Sequence, residues 1–252
     1  MFDNQGQGTP NLEGTVQPGQ GIYEQSSTQI CELGHKVILG GKIFEYTLAG
    51  GTITTGMILA TPIMVAHHQT QAVPAAIAAN LNKITITVGG TALTLNQYAE
   101  GELIVQGAAV GDGWGQTYRI KSHPAADAAD TCEITLYDRI VTALTVTSEI
   151  SLVPNDNKGV TIFTASSQAD VAIGASVRAV TDAHYFWMLK KGWASILADE
   201  SYAAYTPLVP GASTDGSLEA RDVDGTLEQV IGRASSVAGV DGDMCPVYLN
   251  IK

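Results

Sequence analysis

Five histidines, three cysteines and a late run of acidic residues are the side chains of this 252-residue chain that could hold a metal or attack a substrate. His67 and His68 are adjacent, so on an extended strand they point to opposite faces and cannot chelate one ion together. His35, His123 and His184 stand in unrelated contexts. Cys31, Cys132 and Cys245 lie roughly a hundred residues apart, with no Cys-x-x-Cys spacing. None has a basic or histidine neighbour to lower its pKa, so they are expected to be small buried hydrophobes in a chain made in a reducing cytoplasm.

Asp222-Val223-Asp224-Gly225 opens like a calcium loop. The carboxylate needed six residues past the glycine is missing, because that position is Ile231. With Glu219, Glu228, Asp241 and Asp243 the segment reads as a solvated acidic loop. Gly111-Asp112-Gly113-Trp114-Gly115-Gln116 has the glycines of a phosphate loop, but no Lys-Ser/Thr follows and Thr117 to Lys121 has a strand pattern, so no helix dipole would face a phosphate. There is no Gly-x-Ser-x-Gly. The sequence therefore marks out no catalytic residue, no cofactor and no metal site, and a non-enzymatic role is expected.

The elements that would position any site are short strands. Charged residues make up 15% of the chain, against about 25% in an average domain, and 27 glycines are present; a long-helix protein would be rich in Glu, Lys, Arg and Leu instead. Lys36-Val37-Ile38-Leu39 and Lys42-Ile43-Phe44-Glu45-Tyr46 flank Gly40-Gly41, which suits a primed hairpin turn. Ile84, Ile86 and Val88 alternate with threonines, and Gly89-Gly90 followed by Leu93 and Leu95 predicts a second hairpin. Further strands are expected at 102–106, 117–121, 132–136, 149–153, 160–163, 185–189, 192–197, 230–232 and 247–251. Ala-rich Val73 to Asn80 is a short helix or an irregular crossing. The fold class is therefore all-β, with antiparallel β-barrel or sandwich domains and an extended N-terminal arm.

Pro154 to Gly159 is a strong breaker and a domain seam. Residues 1–34 form the arm, 35–66 join 160–252 in a discontinuous barrel-like domain, and 80–155 are an inserted antiparallel β domain. The arm is rich in Gly, Gln and Pro, and Phe2, Leu12, Val16, Ile22 and Tyr23 are its candidate anchors on a partner. Arg119 and Lys121 alternate outward of Tyr118 and Ile120 and are candidate partner contacts as well. Tyr185, Phe186, Trp187, Trp193, Tyr202 and Tyr205 are expected to build the main core, a carbohydrate platform being their other use.

Lysines and arginines number 13 against 25 acids, a net charge of −12, which repels phosphate backbones and anionic lipid, so no nucleic acid partner is expected. The longest apolar run, Met57 to Ala66, is broken by Pro62 and is far short of the ~20 residues that span a bilayer. No membrane span and no secretion signal are expected.

The Gly/Gln/Pro arm, Phe44-Glu45-Tyr46-Thr47-Leu48-Ala49-Gly50, Gly115-Gln116-Thr117-Tyr118-Arg119-Ile120-Lys121-Ser122-His123-Pro124 and Tyr185-Phe186-Trp187 together make the chain similar to virion structural proteins of tailed bacteriophages, of the capsid decoration or cement type. Gly192 to Leu197, Gln229 to Ala234 and Pro246 to Ile251 resemble the small β barrels of such proteins. The resemblance implies a virion location on the capsid exterior. Its implied partners are the major capsid protein and neighbouring copies of the chain itself, in a homo-oligomer, and its implied role is to stabilise the shell against internal DNA pressure. A tail- or surface-associated module that binds host glycans, through Trp114 or Tyr98, is the other expectation.

Overall fold

The computed structural model describes residues 19–107, 113–165, 171–222 and 229–251. In chain order the strands are β1 (Gln25–Ser26), β2 (Lys36–Leu39), β3 (Lys42–Ala49), β4 (Ile58–Ala60), β5 (Gln71–Ala72), β6 (Lys83–Thr87), β7 (Glu102–Gly107), β8 (Thr117–Ser122), β9 (Thr131–Leu136), β10 (Ser148–Val153), β11 (Lys158–Ile162), β12 (Ala172–Ala175), β13 (Tyr185–Leu197), β14 (Pro207–Pro210), β15 (Leu218–Ala220), β16 (Gly232–Ala234) and β17 (Met244–Asn250). The only helical element described is one 3-10 turn, Ala66–His68, and the fold is all-β.

The chain divides into two compact units, one formed by residues 1–62 and 156–252 and the other by residues 63–155. The cuts fall after Pro62 and after Asn155, so the second unit starts earlier than residue 80.

Three times, a strand-turn-strand segment is matched by a later one. β3-turn-β4 answers to β12-turn-β13, β13-turn-β14 to β16-turn-β17, and β6-turn-β7 to β8-turn-β9. In each set the first strand pairs with the last, the last with the third and the third with the second, all antiparallel. The turns meet as pairs: Ile53 with Val180, Tyr202 with Gly239, and Leu93 with Ala126. Each pair exchanges both of its backbone hydrogen bonds, and Ile77 with Leu144 makes a fourth such pair.

Three residues after the bridging residue the backbone turns left-handed, at Gly56, Asn80, Asn96, Ala129, Ala183, Tyr205 and Gly242, with φ between 55 and 75°. The amides of Gly56, Asn80, Asn96 and Tyr205 then donate across the pair to Ser176, Ile140, His123 and Ser235 carbonyls at 2.8–3.1 Å. Gly and Asn adopt this conformation readily, whereas for Ala and Tyr it costs about 1–2 kcal/mol. Among the described residues, five of the seven non-glycine positions with positive φ are therefore explained by one recurring turn.

In the first unit this pattern closes two rings on one strand. β3, β13, β12, β4 and β11 form one ring, closed by the parallel pair β11–β3. β13, β17, β16, β14 and β15 form the other, closed where Leu218 bridges in parallel to Ala198, just past the end of β13. The expected antiparallel barrel is thus correct except at these two closures. Tyr46, Trp187, Phe44, Ile58, Ile196, Leu208, Leu218, Val247 and Leu249 fill the rings, while Ile53, Leu59, Phe186 and Met188 form a second cluster. The second unit has a mostly aliphatic core of Ile84, Ile86, Leu103, Val105, Ile120, Ile134, Leu136, Ile150 and Leu152, with Tyr98 and Tyr118 added.

Other expectations need correction. The arm ends earlier than residue 34, because residues from Gln20 onward belong to the first unit. The Gln20 amide donates to the Tyr185 carbonyl at 3.0 Å, its side-chain oxygen accepts from Tyr46 OH at 3.2 Å, and its carbonyl accepts from Trp187 Nε1 at 3.1 Å. One glutamine thus satisfies two buried aromatic donors. The hairpin over 84–95 does not form: β6 pairs with β9, and Leu93 makes only its bridge to Ala126. Gly40 and Gly41 have the positive φ of a primed turn, whereas Gly89 and Gly90 do not. Gly89 is required by close approach instead, since a Cβ there would stand 2.2 Å from the His67 carbonyl oxygen. Residues 73–80 are an irregular crossing, not a helix. The strands expected at 185–189 and 192–197 are one strand, β13.

Candidate binding surfaces

Along β13 the side chains should alternate, so Trp187 and Trp193, six residues apart, should face the same way. They do not: Trp187 is fully buried and Trp193 is 52% exposed. The register of β13 against β3 shifts between Leu189 and Lys191, and this bulge inverts the facing of everything beyond it. Gly192 has φ 117°, and a Cβ on it would lie 2.8 Å from Lys42 Cγ, so glycine there lets the Lys42 stem cross β13.

Past the bulge an outward row runs over four strands. Trp193 stands opposite Tyr248, Tyr248 opposite Arg233, and Arg233 opposite Pro207. The Trp193 and Tyr248 rings meet edge to face with centroids 5.5 Å apart, and Arg233 Nε donates to the Tyr205 carbonyl at 3.0 Å. Beside Trp193 an open groove of about 410 Å³ is lined by Tyr23, Lys42, Thr55, Ser195 and Pro246, among others.

The second unit presents a different surface. Exposed Tyr137, Val141 and Val146 lie along one segment, and Leu81 and Trp114, on stretches bonded to it, are exposed as well. Gln116 donates to Thr142 Oγ1 at 2.8 Å, the Val141 amide donates to Tyr118 OH at 2.9 Å, and Ile140 bonds the Asn80–Leu81 turn in both directions. The Arg119 guanidinium sits 5.0 Å over the Tyr137 ring at the margin of this surface.

Inside this unit, His68 and His123 flank Tyr98, all three buried. His68 Nε2 faces the Thr91 carbonyl at 3.0 Å and therefore carries the proton, so its Nδ1 accepts from Tyr98 OH at 2.6 Å. His123 Nε2 accepts the Tyr98 amide at 3.0 Å while Nδ1 donates to the Pro124 carbonyl at 2.8 Å. Burial pushes the Tyr98 phenol up to about 12, which keeps it a donor at neutral pH. Both imidazoles thus act as pins for the 91–98 segment.

Two further polar sites stabilise the first unit. Glu45 is held between Lys36 at 3.2 Å and buried Lys190 at 3.7 Å; burial lowers the Lys190 pKa although the Glu45 carboxylate opposes the shift. Asp199 accepts from the Ser213 amide at 2.7 Å. Burial alone would raise its pKa, but hydrogen bonds from Thr214, Ser213 and Ser217 outweigh that and hold it below the usual carboxylate value.

Of the residues marked in the sequence, Phe2, Leu12 and Val16 lie outside the described residues, as do Gly111, Asp112, Val223, Asp224, Gly225 and Glu228. Ile22 is not available to a partner, because it is buried in the chain's own core, while Tyr23 is exposed at the groove rim. Arg119 and Lys121 are exposed on β8 with Tyr118 and Ile120 buried between them. Tyr98 cannot meet a glycan, being enclosed by the two histidines; Trp114 is exposed. Tyr185 is half-buried, Phe186 and Tyr202 are core residues, and Tyr205 is exposed. His67 and His68 fall on the 3-10 turn, not on a strand. Cys132 and Cys245 are buried and Cys31 is half-buried, all as free thiols. Burial and the nearby Glu32 push Cys31 up to about 11. Among the described residues no three His, Cys, Asp or Glu side chains converge on a metal-sized point, and no helix is long and apolar enough to cross a membrane.

Compared with known proteins, the chain matches no family model, no characterised protein and no solved structure. For the Trp193 surface, which sequence reasoning missed, the one signal is Gly192 in the middle of an otherwise strand-like run.

Proposed function

We propose that this chain is a capsid decoration, or cement, protein of a tailed bacteriophage, docked on the outer surface of the shell and holding it against internal DNA pressure. The observation that carries the reading is the apolar surface of the second unit, where Trp114, Tyr137, Val141, Val146 and Leu81 stand exposed. An uncovered group of this kind on a folded unit marks a protein contact. The sequence resemblance supplies the partner, the major capsid protein, with neighbouring copies as the second contact. Arg119, over Tyr137, and Lys121 supply cations at that margin, and the net charge of −12 suits an outer face that avoids packaged DNA. The role is structural and uses no cofactor.

The test is attachment to purified capsids. Val141→Asp is expected to abolish co-sedimentation while leaving the far-UV spectrum unchanged, and capsids without the protein should release DNA at a lower temperature. Attachment by the variant at wild-type stoichiometry would overturn the reading.

A further inference from the structure

We propose that the groove beside Trp193 in the first unit is a binding site for an acidic saccharide. This surface differs from the one assigned to capsid docking, so the two can fail separately. The groove holds about 410 Å³, within the range of small-ligand sites. Its rim carries two aromatic rings, Tyr23 at 66% and Trp193 at 52% exposure, and the Tyr248 edge fixes the Trp193 ring from one side. A pyranose ring has one face of axial C–H groups, which packs on an aromatic face, and an equatorial rim of hydroxyls. Thr55 and Ser195 also line the groove and carry the hydroxyls to meet that rim, whereas the Ser176 hydroxyl is already bonded to the Thr54 carbonyl and the Met57 amide.

Charge decides the class of sugar. In a chain with 25 acidic and 13 basic residues, no carboxylate among the described residues lines this groove and Lys42 does. Lys191 lies two residues before Trp193 on the same outward side of β13, and Arg233 is two strands away in the same row. The bulge at Leu189–Lys191 turns Trp193 outward, and Gly192 leaves room for the Lys42 stem. The same local distortion therefore presents both the ring and the cation. A saccharide with a carboxylate on its ring would stack on Trp193 and place its charge at Lys42.

Titration calorimetry of the full chain with tetragalacturonate and, as neutral control, maltotetraose tests this. Tetragalacturonate is expected to bind, with at least tenfold weaker binding by Trp193→Ala. Lys42→Gln should weaken tetragalacturonate at least threefold and bring it level with maltotetraose. Trp193 is exposed and Lys42 half-buried, and a near-UV spectrum still showing buried Trp187 confirms that each variant is folded. No heat with tetragalacturonate, equal affinity for maltotetraose in the unaltered chain, or unchanged binding by Trp193→Ala would each overturn the proposal.

Discussion

The two units use one turn device and fill it differently. In the first, aromatic side chains, Trp187, Tyr46, Phe44 and Phe186, occupy the interior and a second tryptophan is turned outward by a bulge. In the second, the interior is aliphatic apart from Tyr98 and Tyr118, and two buried histidines pin the Tyr98 hydroxyl and amide. The paired turns fix the backbone without specifying what packs under it. A scaffold of this kind can hold its core while its outer faces diverge, and the two units present quite different faces.

Core truncation should separate the units most sharply. Trp187→Ala is expected to cost the first unit about 3–5 kcal/mol, read as faster amide exchange in β3 and β17 with exchange in β7 and β10 unchanged. Equal acceleration in both would show that the units unfold as one. Next comes Gly239→Ala, whose Cβ would fall 2.2 Å from the Tyr202 ring; urea denaturation should reveal a loss of about 1–3 kcal/mol or more. The corresponding lesion in the second unit is Tyr98→Phe, which leaves buried His68 Nδ1 without its donor. A loss of about 1–3 kcal/mol confined to β6–β10 is expected.

Acid should act on the second ring of the first unit. Asp199 has a folded pKa below its unfolded value, so its contribution is present above the unfolded value and is lost as pH falls through the folded one. Exchange near 199–217 should therefore accelerate below about pH 4, and Asp199→Asn should remove that dependence. The smallest effect is a gain: Ala183→Gly and Ala129→Gly, at left-handed positions, should each stabilise their own unit by up to about 1 kcal/mol. A loss at either position would show that the turn does not carry the strain assigned to it.

Much of the strand content was legible because half-buried strands alternate: β6, β8, β9 and β17 follow period two closely. β12, with all four residues buried, has no alternation to read, and β14 and β15 are short and interrupted by proline or charge. Pairing was harder. Gly89-Gly90 resembles Gly40-Gly41 in sequence, and only the sign of φ separates a hairpin turn from a close approach. The recurring turns escaped notice because the left-handed position is filled by Gly, Asn, Ala and Tyr in turn. Trp193 could not be told from Trp187, since parity along a strand holds only until a bulge breaks it.

β13 belongs to both rings of the first unit. A pull applied to one ring reaches the other along a single covalent backbone. The rings are coupled in series, like links cut from one bar, and a force able to part them must first strip β13 from its neighbours in one ring.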